Sequence, residues 1–195
     1  MNRRNKWYKT LLWLTIVMFG ISGCSENYVP KPRGYFRITM GQHYYQMLDT
    51  AVFPCRFLYS KQAVFSVVNR DSNWINISYP AYKAVLHLSY KAINTKVTLR
   101  KLIDDSQEFI YKHTIKASAI DEQLFVDTVN NVYGLLFDIK GNAASNEQFY
   151  VTDSVRHFLR ASLYFDVKPN YDSLLPVINY IRQDLVVLID SLEWK

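Results

Sequence analysis

The sequence predicts an α+β fold in which an antiparallel β-sheet has two main amphipathic helices packed on one face. Three observations lead to this prediction. Much of the chain alternates apolar and polar residues with the period of two that is typical of half-buried strands. Two segments instead repeat their apolar residues at the spacing of a helix. No repeat or low-complexity tract divides the 195 residues, so the sheet and the helices are expected to share one core.

The first 23 residues have the layout of a secretory signal. Four basic residues precede an apolar run over residues 11–21, which is shorter than the roughly 20 residues of a bilayer-spanning helix. The run ends at Ile21-Ser22-Gly23-Cys24, which resembles the lipobox of bacterial lipoproteins. The resemblance implies that residues 1–23 are removed and that Cys24 carries a covalent lipid such as palmitate. No other cofactor is expected.

Removal of the signal changes the net charge of the protein, and the net charge bears on which partners it can bind. The precursor has 23 Lys and Arg against 17 Asp and Glu, a net charge of +6. The signal takes four basic and no acidic residues, which leaves 19 against 17 and a net charge of +2. The remaining basic residues are scattered singly among apolar ones, whereas nucleic-acid binding requires them to cluster on one face. We therefore expect no nucleic-acid partner.

Residues 24–33 are expected to form the lipidated cysteine and an extended tether, because Pro30 and Pro32 favour polyproline geometry in their neighbours. Residues 34–195 are expected to form a single domain. Its first strands are predicted where aromatic and β-branched residues alternate with polar ones, at residues 35–39, 56–59, 64–68, 74–79 and 84–90.

The pattern becomes helical from Asn94 to His113, with Asn94 or Thr95 as the N-cap. A short irregular region over residues 117–125 follows. Strands are then expected to resume at residues 132–139, 148–152 and 158–167.

An amphipathic helix that begins at about Ser173 closes the chain. Asp172 is expected to cap this helix, and Pro176 lies in its first turn, where a missing N–H group costs little.

The polar residues form no pattern that supports catalysis or metal binding. The histidines lie apart, without the spacing or the carboxylate neighbours of a zinc site, at His43, His87, His113 and His157. Ser154 and His157 resemble part of a nucleophilic site, but they fall at a turn between strands, where their side chains point to opposite faces. We therefore expect no metal site and no enzyme activity.

Cys55 has no intramolecular partner if Cys24 is lipidated. An unpaired cysteine in an exported protein can form an intermolecular bridge or serve as a reactive thiol. The apolar neighbours of Cys55 instead favour a buried, inert side chain, and no disulfide is expected.

Aromatic residues are numerous, with 15 Tyr and 11 Phe, and suggest where a partner binds. Arg33, Tyr35 and Arg37 alternate along the first predicted strand and would share one face of it. Tyrosine and arginine are favoured in protein interfaces, so these three residues are the first candidate for partner binding. The alternative is that the arginines are only solvated. The aromatic segment 149–165 is the second candidate.

Several segments of the mature chain, in order, resemble the GldD family of gliding motility lipoproteins of the Bacteroidota. They include "GCSENYVPKPRGYFRI", "INISYPAYKAVLHLSYK", "VYGLLFDIKGNAASNEQFYVTDSVRHFLRASLYF", "KPNYDSLLPVI" and the terminal "EWK". The resemblance implies an envelope lipoprotein required for gliding and for type IX protein secretion, with other envelope lipoproteins and membrane components as partners. It implies no catalytic residues.

These observations together favour a scaffold that is lipid-anchored at the periplasmic face of the outer membrane and binds other envelope proteins. The alternative is a periplasmic lipoprotein enzyme or ligand carrier that acts on peptidoglycan or lipid. A deep pocket with converging polar groups would favour the alternative, whereas a flat aromatic patch would favour the scaffold.

O-glycosylation acceptors of the Bacteroidota resemble Asp followed by Ser or Thr and then an apolar residue. Two occurrences of this pattern, Asp172-Ser173 and Asp190-Ser191, have a structural explanation in the last helix. The remaining candidate acceptors are Thr50, Thr128 and Ser154.

Overall fold

The computed structural model of the chain describes Trp7, Leu11, Trp13 and Leu14, and then residues 38–49, 51, 53–69, 73–112 and 116–195. The chain divides into two compact units, Met1–Phe36 and Arg37–Lys195. The four described residues of the first unit are helical. No helix within the described residues combines the length and the apolar character needed to cross a bilayer.

The second unit contains two antiparallel sheets. The strands are β1 (Tyr45–Leu48), β2 (Cys55–Ser60), β3 (Val64–Asn69), β4 (Trp74–Tyr79), β5 (Ala84–Ala92), β6 (Ala117–Asp127), β7 (Val132–Gly141), β8 (Ser145–Thr152), β9 (His157–Phe165) and β10 (Glu193–Trp194). Seven of them form the main sheet in the order β3-β4-β5-β9-β8-β7-β6, and β1-β2-β10 form a small sheet. The helices are α1 (Leu99–Tyr111) and α2 (Tyr171–Asp190).

The α+β class and the antiparallel pairing agree with the prediction from the sequence. Strand β4 matches its predicted range, and β2, β3, β5, β7, β8 and β9 cover most of theirs. The predicted first strand is not observed where the structure can be checked, because Ile38 and Thr39 have no regular structure and residues 35–37 lie outside the described residues.

Strand β6 corrects the prediction of an irregular region over residues 117–125. It lies at one edge of the main sheet, and most of its side chains are exposed. An exposed edge strand needs no apolar alternation, so the sequence pattern on which strand prediction depends is absent.

Both predicted helix caps are wrong. Thr98 is the N-cap of α1, and its hydroxyl accepts a hydrogen bond from the Lys101 N–H at 3.3 Å. Asn94 instead closes the preceding turn, where its side-chain oxygen accepts from the N–H groups of Lys96 and Val97. Helix α2 starts two residues earlier than expected, with Asn170 as N-cap and Asp172 in the first turn, where the helix dipole favours a carboxylate.

The two helices pack on opposite faces of the main sheet, and the prediction that both cover one face is wrong. Leu102 and Ile110 of α1 pack with Phe137, Tyr150 and Phe158. Side chains of α2 pack instead with the intervening residues of the same strands, among them Leu136, Phe149, Val151 and Leu159.

The physical reason lies in β8, which is buried at every position. Since successive side chains of a strand point to opposite faces, a strand of this kind requires cover on both sides. One helix on each face supplies that cover, and the second core is completed by apolar residues that precede α1.

The larger core lies between the main sheet, the small sheet and α2. Cys55 is a free thiol in this core with no exposed surface, as the sequence predicted. Burial raises the pKa of its thiol to about 12. The thiolate, which is the reactive form, is therefore strongly disfavoured at neutral pH.

A buried carboxylate joins segment 38–44 to α2. Asp184 is 2% exposed and accepts hydrogen bonds from the His43 Nδ1–H at 2.7 Å and from the Tyr79 hydroxyl at 3.1 Å. The His43 ring also stacks on Tyr180 of α2, with ring centroids 4.1 Å apart. These contacts attach segment 38–44 to the face of the main sheet that α2 covers.

Candidate partner interface

One half of the main sheet has a face that no described helix covers. This face, which we call the open face, belongs to β3, β4, β5 and the adjoining part of β9, on the side of the sheet opposite α2. Its outward-facing side chains include those of Val64, Val68, Trp74, His87, Lys91, Arg160 and Tyr164.

The alternation of β4 explains why these side chains point outward. Ile75 and Ile77 enter the larger core and are almost completely buried. Because neighbouring residues of a strand face opposite sides, Trp74 and Asn76 are directed to the open face. Trp74 is 46% exposed, and Val64 and Val68 of the adjacent strand are 56% and 55% exposed. Val68 and Trp74 lie together at one end of the β3–β4 pair, whereas Val64 lies at the other end, opposite Ser78. Exposed apolar side chains that lie together on a sheet, as Val68 and Trp74 do, are typical of an interaction surface.

A polar row crosses the middle of the open face. Asn76, His87, Ser162 and Gln148 lie in register on β4, β5, β9 and β8. The His87 Nδ1–H donates to the Asn76 side-chain oxygen at 2.7 Å. Burial lowers the pKa of His87 below its usual value of 6.5, so its imidazole is neutral at pH 7. The row therefore adds hydrogen-bonding groups to the face without adding charge.

Arg160 supplies a positive charge at the end of the open face nearest α1. Its guanidinium carbon lies 4.2 Å from the centre of the Phe109 ring, a cation–π contact. Its Nη2 donates weakly to Gln148 and Ser162, each at 3.4 Å. Burial lowers the pKa of Arg160 from its usual 12.5, and the group remains charged. Within the described residues Arg160 has no carboxylate partner, so its charge is available to a partner molecule.

Gln148, which contacts the Arg160 guanidinium, provides a further polar group. It is 1% exposed, and its amide nitrogen has no hydrogen-bond partner in the described part of the chain. The open face thus combines exposed apolar and aromatic side chains with an unpaired arginine, which is the composition of the centre of a protein interface.

Most site residues predicted from the sequence lie outside the described residues. These are Cys24, Arg33, Tyr35, Arg37 and Thr50.

The other two predicted glycosylation acceptors lie in exposed turns of the main sheet. Thr128 is in the β6–β7 turn, and Ser154 is in the β8–β9 turn with φ of +67°. The preceding aspartates close these turns. Asp127 accepts from the Val129 N–H at 2.8 Å, and one oxygen of Asp153 accepts three backbone N–H groups. Both hydroxyls are accessible, and their glycosylation stays a prediction.

The aromatic segment 149–165 is mainly core. Phe149 and Phe158 are 1% and 2% exposed, because β8 and β9 are interior strands of the main sheet. Arg160, Ser162 and Tyr164 are the members of this segment that reach the open face.

Three of the four histidines can be placed, and each has a structural role. His43 contacts Asp184, His87 belongs to the polar row, and His157 bonds through Nδ1 to the Tyr90 hydroxyl at 2.8 Å. His113 lies outside the described residues. Across the described ranges, no three His, Cys, Asp or Glu side chains are grouped as a metal site requires.

Comparison with known proteins gives a match to one family and a match to one solved structure. The family described as gliding motility lipoprotein GldD matches residues 25–194. No curated protein matches the chain. The solution structure of cyanobacterial PsbP (CyanoP) from Synechocystis sp. PCC 6803 matches with a TM-score of 0.48 and 11% sequence identity, over 82% of this chain and 98% of that chain.

Proposed function

Because the chain belongs to the gliding motility lipoprotein GldD family, we propose that it is an accessory or assembly factor that binds other envelope proteins through the open face. The binding supports gliding motility and type IX protein secretion. The observation that carries this proposal is the uncovered half of the main sheet, where Val64, Val68 and Trp74 are about half exposed and where Arg160 has no carboxylate partner among the described residues.

The cost of leaving this surface in water supports a partner. Burial of apolar surface contributes about 25 cal/mol per Å². The indole of Trp74 and the two valines of the adjacent strand, Val64 and Val68, therefore contribute favourable free energy when a partner covers them. Arg160 adds specificity, since a partner carboxylate placed against it forms a charge-assisted hydrogen bond.

We propose that lipid on Cys24 holds the protein at the periplasmic face of the outer membrane and that residues 24–33 act as a tether. Segment 38–44 packs on the α2 side of the main sheet through His43 and Asp184. The open face lies on the other side, so a protein bound there does not compete with this segment.

The test of the anchor is Cys24→Ala. The variant is expected to lose palmitate labelling and to leave the detergent phase on phase partitioning. Equal labelling and equal membrane association of variant and parent would contradict the anchor.

We infer that this protein is not an enzyme, and GldD lipoproteins are not known as an enzyme family. The polar row contains a serine hydroxyl and an imidazole, but His87 bonds to Asn76 and not to Ser162. The row therefore lacks the nucleophile and base contact that acyl transfer requires. The exposed apolar and aromatic side chains of the open face, those of Val68, Trp74 and Tyr164, support a scaffold.

The test of the open face is the double variant Val68→Ser/Trp74→Ala. Both side chains are about half exposed, so their removal should lower the free energy of unfolding by about 1–3 kcal/mol and leave the protein folded. Gliding and type IX secretion are expected to be lost at a normal protein level. The matched control is Leu124→Ser/Val126→Ser, which also removes two exposed apolar side chains, 68% and 61% exposed, from a strand of the same sheet. Normal gliding of the open-face variant would refute the proposal.

Arg33, Tyr35 and Arg37 are a second proposed contact region. Arg33→Glu with Arg37→Glu is expected to preserve stability to within about 1 kcal/mol and to abolish gliding. A double variant that folds, reaches its membrane and glides normally removes these residues from the proposal.

A further inference from the structure

A cleft of about 520 Å³ opens where the β6–β7 turn, the β8–β9 turn and the C-terminal strand meet. We call it the C-terminal cleft. The side chains that matter for its chemistry are those of Asn131, Asp153, Arg156, His157, Glu193 and Trp194. The cleft shares no residue with the open face, so a ligand bound in it is independent of the proposed function. Its volume lies within the range of about 300–1,000 Å³ that is typical of small-molecule sites.

The walls of the cleft are held rigidly. One oxygen of Asp153 accepts the N–H groups of Val155, Arg156 and His157 at 2.7–3.0 Å, which fixes the β8–β9 turn. The indole N–H of Trp194 donates to the Asn131 carbonyl at 3.0 Å and joins the C-terminal strand to the β6–β7 turn. A rigid site loses little conformational entropy when it binds a ligand.

An aromatic pair forms one side of the cleft. The rings of His157 and Trp194 stack with their centroids 5.2 Å apart and their planes 14° apart. The Tyr90 hydroxyl bonds to His157 Nδ1 at 2.8 Å and fixes the orientation of that imidazole. The C–H faces of a sugar ring pack well against aromatic surfaces of this kind.

Planar polar groups face the same space. The Arg156 guanidinium and the Asn131 side-chain amide are exposed and form no hydrogen bond or ion pair within the described chain. Asp153 retains a second carboxylate oxygen beyond the one that closes its turn. Guanidinium, amide and carboxylate groups each present two neighbouring hydrogen-bonding atoms, which match the spacing of adjacent hydroxyls on a sugar.

The charges of the lining are balanced, with Asp153 and Glu193 against Arg156 and Lys195. A balanced lining is poorly suited to a phosphate-rich ligand, and a largely polar one is poorly suited to a lipid tail. We propose that the C-terminal cleft binds a saccharide, with His157 and Trp194 against the sugar ring and with Asn131 and Arg156 on its hydroxyls. Two envelope sources share this chemistry, the amino-sugar backbone of the cell wall and the polysaccharide of the outer membrane.

The test is isothermal titration of the full-length lipoprotein in a detergent without a sugar headgroup. The probes are tri-N-acetylglucosamine, for the cell-wall backbone, and purified outer-membrane polysaccharide. Binding of either probe is expected, and the probe that binds identifies the source. Arg156→Ala and Asn131→Gly should each weaken binding at least about tenfold, or about 1.4 kcal/mol.

Both substitutions are compatible with folding. Arg156 is exposed, and glycine at position 131 retains the positive φ of 53° that asparagine adopts there. Trp74→Ala on the open face is the matched control and should leave the affinity unchanged. The proposal is overturned if neither probe binds at about 10 mM, or if both cleft variants bind with the affinity of the parent.

Discussion

Replacing Asp184 with alanine removes the acceptor at the centre of the contact between segment 38–44 and α2. The carboxylate is 2% exposed, and it accepts from His43 at 2.7 Å and from Tyr79 at 3.1 Å. Burial and the nearby Asp184 charge also raise the pKa of Tyr45 to about 12, which places a second hydroxyl, beside that of Tyr79, in the same environment. The substitution leaves these donors without their acceptor.

The expected cost follows from these contacts. A hydrogen bond to a charged group contributes about 1.5–3 kcal/mol, so the loss of two such bonds costs roughly 3–6 kcal/mol. Removal of one partner from a buried charged contact costs about 3–5 kcal/mol. We therefore expect Asp184→Ala to lower the free energy of unfolding by about 4 kcal/mol.

Urea unfolding at pH 7 measures this change. The control is Asp190→Ala, which removes an exposed carboxylate from the last residue of the same helix and should change stability by less than about 1 kcal/mol. A free energy of unfolding for Asp184→Ala within about 1 kcal/mol of the parent would show that this carboxylate does not hold segment 38–44 in place.

Three further predictions concern the core. Gly134→Ala should lower the free energy of unfolding, measured by thermal unfolding, by about 1–3 kcal/mol or more, because the added Cβ would lie 2.0 Å from a backbone oxygen. Gly41→Ala meets only a flexible side chain and should lower it less. Equal losses of stability in the two variants would contradict this explanation. Burial raises the pKa of Glu147 from 4.5 to about 8. The stability that its protonated carboxyl contributes to the folded state is therefore complete below pH 4.5 and is lost as the pH rises through 8. The free energy of unfolding in urea should fall between pH 5 and pH 8 in the parent, and this fall should be absent in Glu147→Gln. Cys55, with a buried thiol of pKa about 12, should resist iodoacetamide at pH 8 until urea unfolds the protein, and rapid labelling of the folded chain would contradict its burial.

Most strands could be predicted from the sequence because the alternation of apolar and polar residues along a strand follows which side chains are buried. The stretch "WINISY" over residues 74–79 alternates core and surface residues, and β4 has these bounds. Helix α2 was likewise predicted from the spacing of its apolar residues, although its first residue was not.

Elements defined by distant contacts could not be predicted in this way. In β8, Glu147 and Gln148 are polar residues of the kind that usually lie on the surface, yet they are 0% and 1% exposed. Arg182 of α2 bonds to Glu147, and Arg160 of β9 bonds to Gln148, so both polar groups find partners inside the protein. This burial is why β8 needs cover on both faces and why the helices lie on opposite sides of the main sheet. Strand β10 has two residues and exists only through pairing with β2.

The open face was missed for the same reason. Trp74 and Arg160 are far apart in the sequence and share a surface because β5 pairs with β9. Alternation predicted which residues of β4 share a face, but the position of α1 decides which face remains exposed. The N-cap of α1 is a local feature, but it was predicted at Asn94 or Thr95 because Asn94 closes a turn just before the helix, four residues before the true cap, Thr98.

Site-specific photo-crosslinking in gliding cells shows whether the open face binds another protein. A benzophenone amino acid placed at position 74 lies on the open face, and one placed at position 124 lies on the exposed edge strand of the same sheet. We expect a discrete crosslink from position 74 to another envelope protein, identified by mass spectrometry, and no such product from position 124. The absence of a crosslink from position 74, or the same product from both positions, would contradict partner binding at the open face.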